Sequence, residues 1–458
     1  MPPRSLENLA IAPHLSRAEC EAITKKVLSF STADECRVSV NSGMRQNTRF
    51  AVNQISTAGD DYNASVSIRS VFGKKVANVN VNRLDDASLR AAVQNCERIA
   101  KLAPDDPELM PELDPQTYRD SIVWSDATAS LEPEARAAAV RAITAPAQRA
   151  GLISTGYLEA QAGSFAVANH RGLFAYARNT AAAFTTTVRT ADGTGSGWAG
   201  AADNDFRRID PKLLADRAIE KARRSANPVA IEPGRYTVIL EPTAVANLVQ
   251  LITGSLGARG ADEGRSFFSK PGGGNKIGEK VVDERVTLTS DPLDPRVPAN
   301  TFGGDGFPTQ TVTWIENGVV KNLAYDRFWA QKTGKQPVSA GGTLTMAGGT
   351  SSMEEMIAST ERGILVTRFW YIRGVDPRTI LFTGLTRDGT FLIENGKVTR
   401  PVKNLRYNES PIFMLNNLMM MGRPERVSAS ESGGPGQAII VPPLKCRDFN
   451  FTSTSDAI

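Results

Sequence analysis

Residues 235–270, RYTVILEPTAVANLVQLITGSLGARGADEGRSFFSK, decide how the rest of the chain is read. Residues 236–240 alternate and are rich in β-branched side chains, which predicts a strand. Pro242 suits a first helical turn, where its missing N–H costs nothing. Val245, Leu248, Val249, Ile252 and Leu256 then recur at helical spacing and draw one apolar stripe. Gly254 and Gly257 are expected to close this helix. Gln250 and Ser255 fall off the stripe, so the helix carries polar positions that point away from a core.

Working outward, the C-terminal half is expected to be β-rich apart from this helix and one at 352–360. Two segments, WIENGVVKN from Trp314 and LIENGKVTR from Leu392, share an Asn-Gly step between apolar runs. Such a step predicts a hairpin, because a type I′ turn needs positive φ twice. The two hairpins are expected to be equivalent parts of a sheet or partial barrel. On the N-terminal side, NPVAIEPG reads as a linker, with a domain boundary near residue 230.

Upstream of it, helices are expected at 16–30, 85–103, 132–149 and 211–226, the first with a Ser16/Glu19 cap. Alternating runs from Cys36, Arg49, Ala64 and Lys75 predict an antiparallel meander with turns at Gly-Asp-Asp and Gly-Lys-Lys. A second meander is expected from runs beginning at Ser154, Ser164, Phe174 and Ala183, closed by GTGSGWAG. PDDPELMPELDP between the halves is a connecting loop, since its prolines resist helix and central strand alike. The order helix, strands, helix, repeated once, suggests two related halves.

These segments together resemble the TldD/PmbA (TldD/TldE) family of zinc peptidases and their partner subunits. The resemblance is carried by the strand and helix at 236–256, GRSFFS, DGFP, the two IENG segments and RFAVNQIS…SIRS near the N-terminus. It implies an α+β fold of two domains. Residues 1–229 would form an antiparallel sheet with helices, with a middle subregion from about 120, and residues 230–458 the β-rich peptidase-like domain. In the catalytic branch the helix carries HExxxH, whose histidines bind zinc and whose Glu is the general base, and a distant Cys completes the ligand set. On that frame the positions read Gln250, Leu251 and Ser255, and the Cys position, placed by SGGPGQ, reads Ser432.

Zinc takes imidazole, thiolate or carboxylate donors, and these four residues supply none. Residues five apart lie about 140° apart on a regular helix, so an HExxxH pair converges only where the helix is widened, which Gly254 would permit. The resemblance therefore implies no catalytic, cofactor-binding or metal-binding residues in this chain. Zinc is expected in a TldD-like partner, with heterodimer and homodimer both open and unfolded peptides as substrates. An active peptidase or hydrolase using other residues, or a stand-alone peptide-binding homodimer, stays open.

Other features narrow the field. A formal charge of +4 with intermixed signs and no recognisable module argues against nucleic acid. There is no apolar run long enough for a membrane span. The opening MPPRSLENLAIAP lacks the marks of a signal peptide, so a cytoplasmic protein is expected. Cys20, Cys36, Cys96 and Cys446 are scattered, as free thiols in a reducing compartment would be. His14 and His170, the only histidines, stand at no metal-site spacing. The carboxylates from Asp262 to Asp305 match no calcium loop, and PGGGNK and SAGGTLTMAGGTSS match no phosphate loop. Ser255 and Ser432 have no base at a useful spacing. The Met-rich run 411–421, PIFMLNNLMMM, reads equally as an internal core strand or helix and as a subunit interface, whose adaptable character it has.

Overall fold

A computed structural model describes residues 13–429 and 438–455. Its N-terminal half is built from α1 (Arg17–Phe30), β1 (Glu35–Ala51), β2 (Gln54–Phe72), β3 (Lys75–Val81) and α2 (Asp86–Leu102). After a Pro-rich strap come α3 (Asp126–Ala129), α4 (Pro133–Arg149), β4 (Leu152–Asn169), β5 (Phe174–Thr190), β6 (Ser196–Asp203) and α5 (Pro211–Arg224). The pattern of helix, three strands, helix thus occurs twice. All six strands join one antiparallel sheet in the order β3-β2-β1-β4-β5-β6, with β1 and β4 at the seam. One face is apolar, carrying Val38, Val40, Val66 and Ile68 under α1 and α2, and Phe50, Leu158 and Phe184 under α4 and α5.

The strands are longer than the sequence suggests. The runs at Cys36 and Arg49 fuse into the 17 residues of β1, and those at Ser154 and Ser164 into the 18 residues of β4. Gly59-Asp60-Asp61 is no turn, because it lies within β2 with Asp60 ion-paired to buried Arg136 of α4 at 2.7 Å. The turn falls instead at Val52-Asn53, both left-handed (φ 49° and 61°). Asn53 steadies it by accepting from the Ser154 N–H at 2.7 Å and donating to the Leu152 carbonyl at 2.9 Å. GTGSGWAG opens β6 rather than ending the series. Gly197 is required there: a Cβ would stand 2.2 Å from the Ala218 carbonyl oxygen of α5.

The C-terminal half begins with β7 (Gly234–Leu240), α6 (Pro242–Thr253), α7 (Ala258–Asp262), β8 (Leu288–Ser290), β9 (Val312–Glu316) and β10 (Val319–Val320). It continues with α8 (Arg327–Thr333), β11 (Thr345–Met346), α9 (Met353–Ala358), β12 (Arg362–Val366), β13 (Phe369–Asp376) and β14 (Leu381–Thr386). The last elements are β15 (Thr390–Glu394), β16 (Lys397–Pro401), β17 (Asn404–Glu409), α10 (Pro411–Asn416), β18 (Leu418–Met421), β19 (Glu425–Ser428), β20 (Ala438–Val441) and β21 (Leu444–Ser455). They form two sheets. One runs β10-β9-β8-β11-β20-β19, and the other β13-β14-β17-β21-β7-β12-β15-β16 with β18 beside β21. Side chains of both sheets and of α6 share one apolar core, which includes Val238, Val249, Trp314, Phe369 and Phe449. The fold is α+β, with the antiparallel sheet N-terminal and the β-rich region C-terminal.

Two expectations change here, and a third is filled in. Both Asn-Gly steps form left-handed turns (φ 50° and 77° at 317–318, 50° and 74° at 395–396), yet each hairpin edges a different sheet. Helices α7, α8 and α10 were not legible as helices. Of these, α8 is capped by Asp326, which accepts from the Trp329 N–H, and ends at left-handed Gly334. The run 411–421 divides into α10 and β18, with Met421 buried and Phe413, Asn416 and Met419 exposed, so it is part core and part surface.

The halves are stitched together. Asp388, buried, accepts from the Ser196 hydroxyl at 2.5 Å and pairs with buried Arg368 at 3.2 Å, whose guanidinium lies over Trp198. The Pro-rich strap also crosses over: Glu108 takes a forked pair from Arg259 (2.7 and 2.8 Å), and the Tyr118 hydroxyl donates to the Gly306 carbonyl at 2.7 Å.

Candidate functional site

Helix α6 is fixed before any chemistry is considered. Ala244 to Val249 and Ile252 are fully buried, and its N-cap, Glu241, pairs with Lys221 of α5 at 2.6 Å. Asn247 is also fully buried, so it must be bonded. Its oxygen accepts from the Phe369 N–H at 3.1 Å, and its amide faces the Ala429 carbonyl at 3.3 Å. One turn on, Gln250 donates to the same carbonyl at 2.9 Å. Two amides of one helix face therefore hold the chain at the residue that precedes 430–437. Asn247 was not singled out in the sequence; a lone amide inside an apolar stripe was the available signal.

The predicted motif positions do not share one helix. Helix α6 ends at Thr253, and Gly254 is an ordinary right-handed cap (φ −64°), so the chain turns instead of widening. Ser255 lies in that turn, half-buried, its N–H donating to the Ile252 carbonyl at 3.0 Å. Leu256, expected on the stripe, is buried beyond the helix, and its carbonyl accepts from Ala324 N–H at 2.8 Å. Leu251 packs against the core. Ser432 lies outside the described residues.

A cleft of about 520 Å³ opens at this end of α6, lined by Thr253 and Leu256 and, opposite, by Trp314, Tyr325, Asp305 and Arg327. Burial and the neighbouring Asp305 carboxylate push the Tyr118 phenol up to about 12, so it stays a donor. Burial likewise raises Tyr325, whose oxygen accepts from Asn275 at 3.0 Å. Asp262 clasps Asn275 (2.6 Å) and the Trp329 indole (2.7 Å), which makes it a structural carboxylate. Ser290 is no nucleophile: its hydroxyl accepts from Trp314 at 2.8 Å and donates to the Thr343 carbonyl. The cleft mixes rings, carboxylates and a guanidinium, and it can hold a polar chain with apolar side groups.

The described residues at the positions expected to match the zinc motif do not fit zinc. The Gln250 amide protons point to a carbonyl, Leu251 is hydrocarbon, and Ser255 offers a hydroxyl. Among the described residues no three His, Cys, Asp or Glu side chains gather where they could hold a metal ion. His14 packs edge-on against Trp124, and His170 accepts from the Cys36 N–H at 3.1 Å, both in the N-terminal half.

A sheet platform with helices on one face, a β-rich lobe and a cleft at the end of a buried helix define an α+β class of protein. Comparison with known proteins narrows the class. Residues 125–226 match the PmbA/TldA metallopeptidase central domain and residues 233–453 its C-terminal domain, and the chain belongs to the TldD/PmbA family. A metalloprotease of Methanothermobacter thermautotrophicus is 25% identical over 256 residues (52% of this chain, 53% of that protein). A metalloprotease TldD homolog of Haemophilus influenzae is 26% identical over 273 residues (55% of each). The chain thus spans about half the length of the curated relatives it matches. The crystal structure of TldE from Thermococcus kodakarensis shares the fold, with a TM-score of 0.82, 20% identity, and 96% of this chain and 100% of that one covered. No helix among the described residues is long and apolar enough to cross a membrane.

Proposed function

We propose that this chain is a metal-free, non-catalytic subunit of the TldE/PmbA type. It would pair with a zinc-bearing TldD-like subunit, and the pair would degrade or process unfolded or short peptides in the cytoplasm. The observation that carries the reading is Gln250. At the first position of the family's zinc motif, its amide is committed to the Ala429 carbonyl, beside a leucine that cannot take a proton. Likeness to TldE supports the branch through the fold alone. In this reading the domains are 1–229, with a subregion from about 120, and 230–458. The cleft at the end of α6 forms part of a groove wall, where an extended peptide can bind by adding a strand to a sheet edge.

The test is to purify the chain alone and together with an HExxxH-bearing member of the family. Alone it should retain less than roughly a tenth of an equivalent of zinc and cleave nothing. The pair should co-elute, hold zinc in the partner and cut an unstructured peptide until a chelator is added. Stoichiometric zinc surviving dialysis in the isolated chain, with cleavage, would overturn the reading in favour of an active peptidase. A homodimer that refuses the zinc subunit but binds peptide would replace it with a stand-alone binding protein.

A further inference from the structure

A second cleft, of about 510 Å³, shares no lining residue with the first. That volume lies in the range of small-molecule sites, about 300–1,000 Å³. It is formed where β7, β14 and β17 begin or end, beside α10 and a bulge in β21. Arg235, Asn408, Glu409, Phe413, Asn417 and Asp448 are among its walls.

The chemistry of these walls is specific. Glu409 is 5% exposed and accepts one N–H on each oxygen, from Ser410 at 2.9 Å and Asn450 at 3.0 Å. Each oxygen keeps a second acceptor site. Burial pushes this carboxyl above its usual range. Arg235 spends one N–H on the Asp448 carbonyl at 3.3 Å, and the rest of its fork remains for a ligand. Asn416 spends its amide protons on the Val281 and Ile412 carbonyls (2.8 and 3.1 Å) and so offers carbonyl oxygen, while Asn450 donates to the Asn408 carbonyl at 3.2 Å and keeps its oxygen and a second N–H. Asp448 is held left-handed (φ 59°) in the bulge between Cys446 and Phe449. Bulges of this kind re-aim a side chain, and a non-glycine residue so held is costly unless the surroundings require it. Phe413, 51% exposed, supplies an apolar platform beside Leu381.

A guanidinium fork, two carboxyl groups, amide oxygens and one exposed ring match a ligand that carries a carboxylate, an ammonium and an apolar side chain. We infer that this cleft binds a small zwitterion, a free amino acid or short peptide with both termini unblocked. A sugar would need neither charge, and a longer peptide would leave one set of groups without a counterpart. The binding does not depend on pairing with a zinc subunit.

Titration calorimetry of the full chain with alanyl-phenylalanine at neutral pH tests the inference, set against its N-acetyl and C-amide forms and against glucose. Saturable binding is expected, weakened at least about tenfold by blocking either end. Arg235→Gln should lower affinity by a similar factor and erase the preference for a free carboxylate while keeping that for a free amine. Phe413→Ser should weaken free and blocked forms alike. Thermal melts matching the parent establish that both variants are folded. Absence of saturable binding, equal binding of the blocked dipeptides, or glucose binding as tightly as the dipeptide would overturn it. So would loss of binding in Arg327→Gln but not in Arg235→Gln, which would move the ligand to the first cleft.

Discussion

The N-terminal sheet and the C-terminal lobe use strands in opposite ways. In the first, strands of 17 to 19 residues run in register almost without interruption, β1 meeting β2 with a single shift near Arg49. In the second, most strands have two to eight residues, several pairings slip, and long loops lie between them. A continuous ladder leaves little room for a cleft, because every backbone group and every second side chain is already committed. Both clefts accordingly open in the lobe, at helix ends and bulges. The platform supplies position, and the lobe supplies shape.

The largest effect that would break this contrast is a substitution in the platform. Gly197→Val forces a side chain into the Ala218 carbonyl, where neither β6 nor α5 can yield. Overpacking typically costs about 1–3 kcal/mol, and with backbone as the obstacle the upper end or more is expected from urea unfolding. A loss under about 1 kcal/mol would mean that the platform is softer than its register implies. Next, Asp388→Ala removes one partner of buried Arg368 together with the acceptor of the Ser196 hydroxyl at the joint, and should cost about 3 kcal/mol. An unchanged midpoint would show that the platform does not steady the lobe through this pair.

A pH series tests the platform's margin. Hydrogen bonds from Arg207 hold the Asp205 carboxyl down at about 2, against about 3.9 in an unfolded chain. A depressed folded value gives stability that is present above about pH 4 and lost as pH falls toward 2. Asp205→Ala should therefore be weaker than the parent by about 1 kcal/mol at pH 7, the exposed Arg207 limiting the effect, with the gap closing at low pH. A gap constant with pH would refute the assignment. The smallest effect belongs to the lobe. Gly254→Ala, in a right-handed cap whose added Cβ would meet only the Leu251 carbonyl at 3.6 Å, should gain about 0.4–1 kcal/mol through the unfolded chain. A loss would reveal that the turn after α6 needs freedom that its backbone angles do not suggest.

The same contrast decides what could be read from sequence. Periodicity located the platform's helices and alternating runs, but it could not see that Gly163 and Gly59 pass through strands, since a glycine in a ladder looks like a turn when only neighbours are known. Val52 in a left-handed turn was invisible for the converse reason: the conformation is held from outside, by Asn53 reaching β4. In the lobe, Asn-Gly gave both turns by local chemistry alone, while the assignment of each hairpin to its own sheet depends on partners far along the chain. Helix α6 was legible through its stripe. Its closure at Gly254 was legible too, but not that Ser255 and Leu256 fall beyond it, because Gly254 permits widening and termination equally and the backbone bond from Ala324 to Leu256 favours termination. The second cleft left no linear trace, since Arg235, Leu381, Glu409 and Asp448 are brought together only by the sheet.

Strand β7, which leads into α6, hydrogen-bonds on one side to β12 and on the other to β21, the last described element. During synthesis the platform's strands are all available by residue 203, and domains formed early can fold first. The helix that bears the candidate site has no such early refuge. Its apolar stripe must wait roughly two hundred residues for the strand that flanks its base. In that interval it is an exposed hydrophobic segment, so a ribosome stalled before β21 would hold a chain with a sound platform and an uncovered α6, the form that quality-control machinery would meet first.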